Sequence, residues 1–438
     1  MKKKKYSRIH ENFKAGISSG HFLANIVLAN LIINATFKLI EHFEDSINPK
    51  LIDILDLITI SVAFVFAIVN CIVSIRKNKN DREEFDIRID DSIIEKTVAA
   101  PINNKYFASG YKWYNSKRSY ALSSYDINKD LLTKPEKYLL SYDGKPDKLN
   151  ERQKRILLKL YKDKKKNKVL LFNDPHPALR SDIYFDKSDK KILKVKKTNY
   201  FAHITSNQII YKKFYNADST LFYDGWRMTL NDDYSYKNIE CSRAANMFGV
   251  SSLLVSSDNF LIISRQGRKN DSGVNQLIPS ATGSVDIKDF NFNHFEINDK
   301  KKLYYLNDLI TNAGIRETNE ETHVKSNYII DRHVVGYMRM LFLGGHPEFM
   351  CLFKSSLTKD EIVCNFIKCE NIGVDNKGVF LDRVGEEIDE LNTQIKLEDV
   401  YKLDVDELIE QKLKDENISI QLYMLLKTIH QHHQEKVL

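Results

Sequence analysis

The chain is poor in the residues that build disulfide frameworks, metal fingers and long flexible tails. Its 438 residues hold five cysteines. These are Cys71, Cys241, Cys351, Cys364 and Cys369, an odd number with no C-x-x-C pair. Cys364 and Cys369 have no histidine at finger spacing, which argues against a zinc site and makes a reducing compartment the default. Glycine (16) and proline (8) are few, whereas Tyr (22) and Phe (23) are abundant, so core material is plentiful and long disordered tails are not expected. A one-sided charge is lacking too. Lysine and arginine exceed the acids by seven, enough for an anionic partner but too little to indicate a DNA or RNA polymer. The length suits two or three domains.

What is present first is apolar length. Leu57–Ile75 carries no charge and is long enough to cross a hydrocarbon core of ~30 Å at ~1.5 Å per residue. Ile17–Phe37 is a second uncharged run, interrupted by His21, Asn25, Asn30 and Asn34. Lys2, Lys3, Lys4, Lys5, Arg8 and Lys14 precede the first run, and Arg76, Lys77, Lys79 and Arg82 follow the second. Residues 38–56 between them hold two lysines against Glu41, Glu44, Asp45, Asp53 and Asp56. The positive-inside rule then places both ends in the cytoplasm and the loop outside, and a second span argues against a cleaved signal peptide. Asn30 and Asn34 share a face of the first span. They pair either within the hairpin, with Asn70, or between hairpins of an oligomer.

Residues 77–100 read as a charged juxtamembrane connector. The aromatic run from Tyr106 to Tyr114 suits either a core strand or base stacking. Leu149–Asp163 is an amphipathic basic helix, and short alternating segments at Val169–Phe172, Ile192–Val195, Gln208–Phe214 and Leu221–Phe222 read as strands. Trp226-Arg227 is a candidate ligand contact, with a core tryptophan as the alternative.

Leu303–Val324 organises the C-terminal part. Leu306, Leu309, Ile310 and Ala313 fall in one sector of a helix, and Glu317, Glu320 and Glu321 continue it at i, i+3 and i+4. Like charges at that spacing repel unless a cation or basic partner gathers them. A surface helix has no reason to place acids in the sector its leucines bury, so the segment reads as the floor of a site. Before it come a hairpin (Ser251–Ser256, a turn at Ser257–Asn259, Phe260–Arg265) and a loop to Gly283. After it come strands at Val334–Leu343 and Glu348–Lys354 and two amphipathic helices, Leu403–Leu413 and Ile418–His430. This order predicts a mixed sheet packed by helices.

The hairpin ending in Ser264-Arg265, the Pro279 to Gly283 loop, Arg316-Glu317-x-x-Glu320-Glu321 and the Gly344-Gly345-His346-Pro347-Glu348 turn together resemble a Nudix domain over about residues 240–430. That family's box is a glycine, five residues, a glutamate, seven residues, then R-E-U-x-E-E-x-G-U. Counting back from Arg316 puts Asp308 in the first acid slot and Lys302 in the glycine slot, while His323 replaces the late glycine and Val324 fits the last apolar slot. The resemblance implies magnesium as cofactor, held by Glu317, Glu320 and Glu321, with Arg316 orienting them. These glutamates would be catalytic if the domain is active.

A box altered in this way behind a two-helix hairpin resembles the two-transmembrane SMODS-associated Nudix effectors of bacterial cyclic-oligonucleotide antiphage systems (CBASS). The fold class implied is α+β. It comprises a transmembrane helical hairpin (1–80), a connector and small α+β region (81–240), and a Nudix-like α/β/α sandwich with C-terminal helices (241–438). The function implied is an inner-membrane effector with spans at about 17–37 and 57–75. It would bind a cyclic oligonucleotide through Arg265, Arg268, Lys269, Arg316, Tyr337 and Trp226, assemble as a homo-oligomer and disrupt the lipid bilayer. The alternative is a membrane-tethered Nudix hydrolase of a nucleoside diphosphate derivative.

Overall fold

Segments with apolar or small residues at both odd and even positions bury both of their faces, and such segments build the largest sheet of this protein. The computed structural model describes residues 85–438 except 118, 167–172, 267–274, 300, 376–387 and 415. The largest sheet gathers β1 (Tyr111–Ser116), β2 (Ser119–Ser124), β3 (Gly249–Val255), β4 (Leu261–Gln266), β5 (Leu277–Ile278), β6 (Ala281–Ser284), β7 (Ile329–Met340), β8 (His346–Ser355) and β9 (Ile388–Asn392). Its order is β5-β4-β3-β8-β7-β2-β1, with β6 also on β3 and β9 also on β4. The β3–β8 pair is parallel and sets Glu348 opposite Gly249. The β3–β6 pair is antiparallel and sets Gly283 opposite Val250 and Ser284 opposite Gly249.

Three helices bear on function: α1 (Tyr125–Thr133), α2 (Leu306–Thr322) and α3 (Ile420–Gln434). The period of two along a strand sorts the core into two layers. Val250, Leu254, Phe349, Cys351 and Phe353 pack with Leu306, Leu309, Ile310 and Ala313 of α2. Leu253, Val255, Met350 and Leu352 pack with Leu422, Leu425, Leu426 and Ile429 of α3. Gly314 lets α2 lie close to the sheet, since a Cβ there would stand 2.8 Å from both Phe353 Cζ and Ser252 Oγ. The helix α2 ends at His323, whose φ of 59° is left-handed. That conformation closes many helices and is cheapest for glycine, because a Cβ crowds the following carbonyl.

Two smaller sheets complete this unit, which runs from Phe85 to Leu438. One has five strands and joins Phe295–Asn298 and Lys301–Tyr305 to Tyr138–Pro146, Lys191–Asn199 and Pro175–Leu179. The other has three strands, Asp86–Ile89, Lys212–Tyr215 and Leu221–Asp224. Arg339, 1% exposed, pins the interior: its Nε donates to Gly345 O at 3.1 Å, its Nη1 reaches the Tyr106 hydroxyl, and its guanidinium lies 4.7 Å over the Tyr236 ring.

Several expectations need correction. The fold is mixed α/β with large sheets, not an α+β chain built as a transmembrane hairpin followed by a Nudix-like sandwich. No helix among the described residues is long and apolar enough to cross a membrane. The longest of them, Leu306–Thr322 and Lys359–Asp375, have 17 residues each, about 25 Å at 1.5 Å per residue, and both carry charges. Two inner-membrane spans, and with them membrane disruption and pore formation, therefore lack support. The segments 17–37 and 57–75 lie outside the described residues. Strands β1 and β2 at 111–124 belong to the same sheet as β7, through the register Arg339 with Leu122.

Candidate functional site

The acidic end of α2 is organised by one arginine. Arg316 Nε donates to Asp289 Oδ1 and its Nη2 to Asp289 Oδ2, both at 2.9 Å, a two-pronged clamp. Nη2 also donates to Ser284 O at 2.8 Å, and Nη1 to Glu317 Oε1 at 2.5 Å. Glu320 Oε2 lies 3.6 Å from Nη1. Burial works against the guanidinium charge, but the Asp289 hydrogen bonds and the Glu317 charge outweigh it and push the group further up. The repulsion inherent in i, i+3, i+4 acids is thus relieved by the protein's own cation.

Local structure explains the clamp. Asp289 closes a short 3-10 turn, Ile287–Asp289, in a reciprocal capping box with Asp286, and its Oδ2 accepts from Asp286 N at 2.8 Å. Asp289 is thereby buried with both carboxylate oxygens committed. Glu317 lies on the buried stripe of α2, as its sector predicts, and its carboxylate rests on Gly283. A Cβ at Gly283 would stand 2.2 Å from Glu317 Cδ. Glu321 Oε2 accepts from Thr282 N at 3.2 Å, and Glu320 is exposed.

Gly283 and Asp289 are themselves separated by five residues, 284–288. The structure therefore brings a glycine-x5-acid pair against Arg316-Glu317 from across residues 290–315, which include the hairpin Phe295–Tyr305. Counting along the chain had selected Asp308 and Lys302 for those places. Asp308 instead meets His294 Nδ1 at 2.6 Å near the start of α2, and Lys302 lies 4.2 Å over the Phe295 ring. His323 takes the left-handed position at the helix end, which is the physical reason a glycine is expected there.

The other candidate contacts do not gather at this cluster. Arg265 is held by Glu416 in a pair of bonds at 2.9 and 2.8 Å. Tyr337 is 1% exposed and packs on Phe349, and Trp226 is buried beside Tyr234. Both rings are core residues here. Arg268 and Lys269 lie outside the described residues. Among the described residues no group of three or more His, Cys, Asp or Glu side chains is disposed to hold a metal ion. The three glutamates are drawn to Arg316 and to backbone, so as arranged they do not fit a three-carboxylate magnesium set.

A second titratable cluster was not foreseen. Glu348, 3% exposed, accepts from Ser251 Oγ at 2.5 Å and lies 3.5 Å from His346 Nε2. The His346 ring meets His203 edge-on at 5.0 Å, and His176 Nδ1 approaches Val285 O at 3.0 Å and Asp286 Oδ1 at 3.1 Å. Burial pushes Glu348 up to about 8 and His346 down to about 3. Burial, then the neighbouring histidines, lower His203 as well. The sequence signal was Glu348 itself, a carboxylate flanked by Pro347 and Phe349 at the head of an apolar strand. It was read as the end of the Gly344–Glu348 turn and the first residue of the strand to Lys354.

Neither a known protein family nor a curated protein matches the chain. Among solved structures, the crystal structure of DR0079 from Deinococcus radiodurans is similar to it at 13% identity and a TM-score of 0.24, over 46% of this chain and 97% of that one. A likeness of that size carries no argument about function.

Proposed function

We propose that this chain recognises a nucleotide at the acidic end of α2, with a Nudix-like frame used for recognition rather than turnover. Within that class the ligand is a cyclic oligonucleotide of the kind made in bacterial antiphage signalling. The observation that supports this reading is the meeting of Gly283 and Asp289 with Arg316, Glu317, Glu320 and Glu321. Arg316 and the backbone hold part of the acidic cluster in place, while exposed Glu320 and half-buried Glu321 offer acceptor oxygens at the surface. Carboxylates accept only, so they suit the amino and imino donors of a base edge.

The test is a thermal-shift screen of the full chain against cyclic di- and trinucleotides. A ligand at 100 times its Kd stabilises the folded state by about 2.7 kcal/mol, a clear rise in Tm. Glu320→Gln with Glu321→Gln should abolish the rise while leaving the Tm of the free protein near wild type. No shift with any cyclic nucleotide sinks the reading.

A second reading, a hydrolase of a nucleoside diphosphate derivative, is favoured by the same glycine-x5-acid pair, because it makes the box more complete than chain counting allowed. Magnesium-dependent turnover of a nucleotide panel, lost in Glu320→Gln, would establish it. Turnover that survives that substitution would come from elsewhere.

A further inference from the structure

A cleft of about 530 Å³ has a wall that includes neither Arg316 nor its carboxylates. Three elements wall it, and each presents the right residues for a local reason. Along β1 the period of two turns Tyr111 and Trp113 toward the α2 layer, leaving Lys112 and Tyr114 facing the cleft. At the start of α1, Ser124 caps the helix by accepting from Ile127 N, which sets Tyr125 and Asp126 at the first turn. The last turns of α3 add His430, Gln431, Gln434 and Glu435. Gly110, at φ +70°, makes room for Asp126, whose Oδ2 would lie 3.0 Å from a Cβ there.

Two tyrosines and two acids stand among the nine residues of the cleft wall. Tyr114 is half-buried against the α3 core, and Tyr125 rests 5.6 Å from the His432 ring. The Tyr125 hydroxyl is buried with no hydrogen-bond partner among the described residues. Burial first, and then the negative influence of Glu435 and Asp126, hold that hydroxyl up at about 12. Two lysines oppose it. Lys112 is exposed at the rim, and Lys129 reaches Glu435 at 3.6 Å with both side chains about half exposed, a pair of small worth. His430 Nδ1 is occupied by Val400 O at 2.8 Å.

We infer that this cleft binds an alkylammonium group, seated on the faces of Tyr114 and Tyr125 and balanced by Asp126 and Glu435. Aromatic faces attract cations through their ring quadrupole, and two carboxylates beside two tyrosines add charge where the cation would rest. A free polyamine and a lysine side chain of a protein carry the same chemistry. The inference does not depend on the nucleotide reading of the α2 site.

The experiment is calorimetric titration of the full chain with spermidine, with Nα-acetyl-lysine amide, and with its Nε-acetylated neutral form. The expected result is saturable binding of a cationic probe and none of the neutral form, with affinity falling at least about tenfold in Asp126→Asn/Glu435→Gln. Both acids are exposed, so the double variant should keep the wild-type melting temperature. Tighter binding of spermidine assigns the cleft to a free polyamine, and tighter binding of the lysine amide to a protein side chain. Absence of binding by either cation at about 1 mM overturns the inference. So does binding that the double variant leaves unchanged, or binding of the neutral form at equal strength.

Discussion

Two buried glutamates, each resting on a glycine of a paired strand, behave in opposite ways. Glu317 lies over Gly283 of β6, and Glu348 over Gly249 of β3, where a Cβ would stand 1.8 Å from its Oε2. Glu317 has a guanidinium at 2.5 Å, whereas Glu348 has, among the described residues, the Ser251 hydroxyl and a histidine that burial keeps neutral. Burial then raises Glu348 to about 8, and at neutral pH it is mostly protonated. The fate of a buried carboxyl is set by its partner more than by its depth. One carboxylate lies in an ion pair with Arg316, and the other is a hydrogen-bonded polar group within a strand core.

The sharpest way to break this contrast is to remove the cation. Arg316→Ala leaves Asp289 buried without its guanidinium and should cost about 3–5 kcal/mol, read as a lower denaturant midpoint. Arg316→Lys should recover only part of it, since an ammonium cannot make the two-pronged bond. An unchanged midpoint in Arg316→Ala would show that the clamp carries no stability.

Glu348 offers the next effect, visible in pH. Its folded pKa lies above the unfolded value, so the folded state holds the extra proton. Stability is complete below about 4.5 and is lost as pH rises toward 8, by on the order of a few kcal/mol. Glu348→Gln should flatten that slope and raise the Tm at pH 9 relative to wild type. Parallel pH profiles for the two proteins would refute the assignment.

Gly283→Ala should then move the Glu317 carboxylate off its seat. Its stability cost is smaller, about 1–2 kcal/mol, because Glu317 can swing toward solvent, but nucleotide binding should disappear with it. The smallest effect belongs to His323→Gly. It relieves a left-handed backbone strain of about 1 kcal/mol and should raise the Tm by about 1–2 °C.

Much of the local structure was legible in advance. The hairpin of β3 and β4, the helix α2 with its leucine stripe running into Glu317, strands β7 and β8 and the closing helix α3 all appear within a few residues of their expected bounds. The start of α2 was placed early, because Leu303–Tyr305 continues the apolar pattern but is the end of a strand paired with Phe295–Asn298. The run from Tyr106 to Tyr114 split into a short helix, Asn104–Ala108, and β1, since Gly110 at φ +70° breaks it.

The candidate site divides along the same line. Sequence alone determined that Glu317 continues the face of α2 that its leucines bury, with Glu320 and Glu321 one turn further on, because helical spacing is a local property of the backbone. Tertiary structure decided which acid meets Arg316. Asp289 reaches it because the β3–β6 register delivers the Gly283 loop to the end of α2, while Asp308, nearer in the chain, turns to His294. It also decided that Tyr337 and Trp226 are core and that Glu348 is a buried strand residue whose carboxyl burial pushes up. Such contacts join positions far apart in the chain, and sheet register sets them, which residue spacing along one segment does not encode.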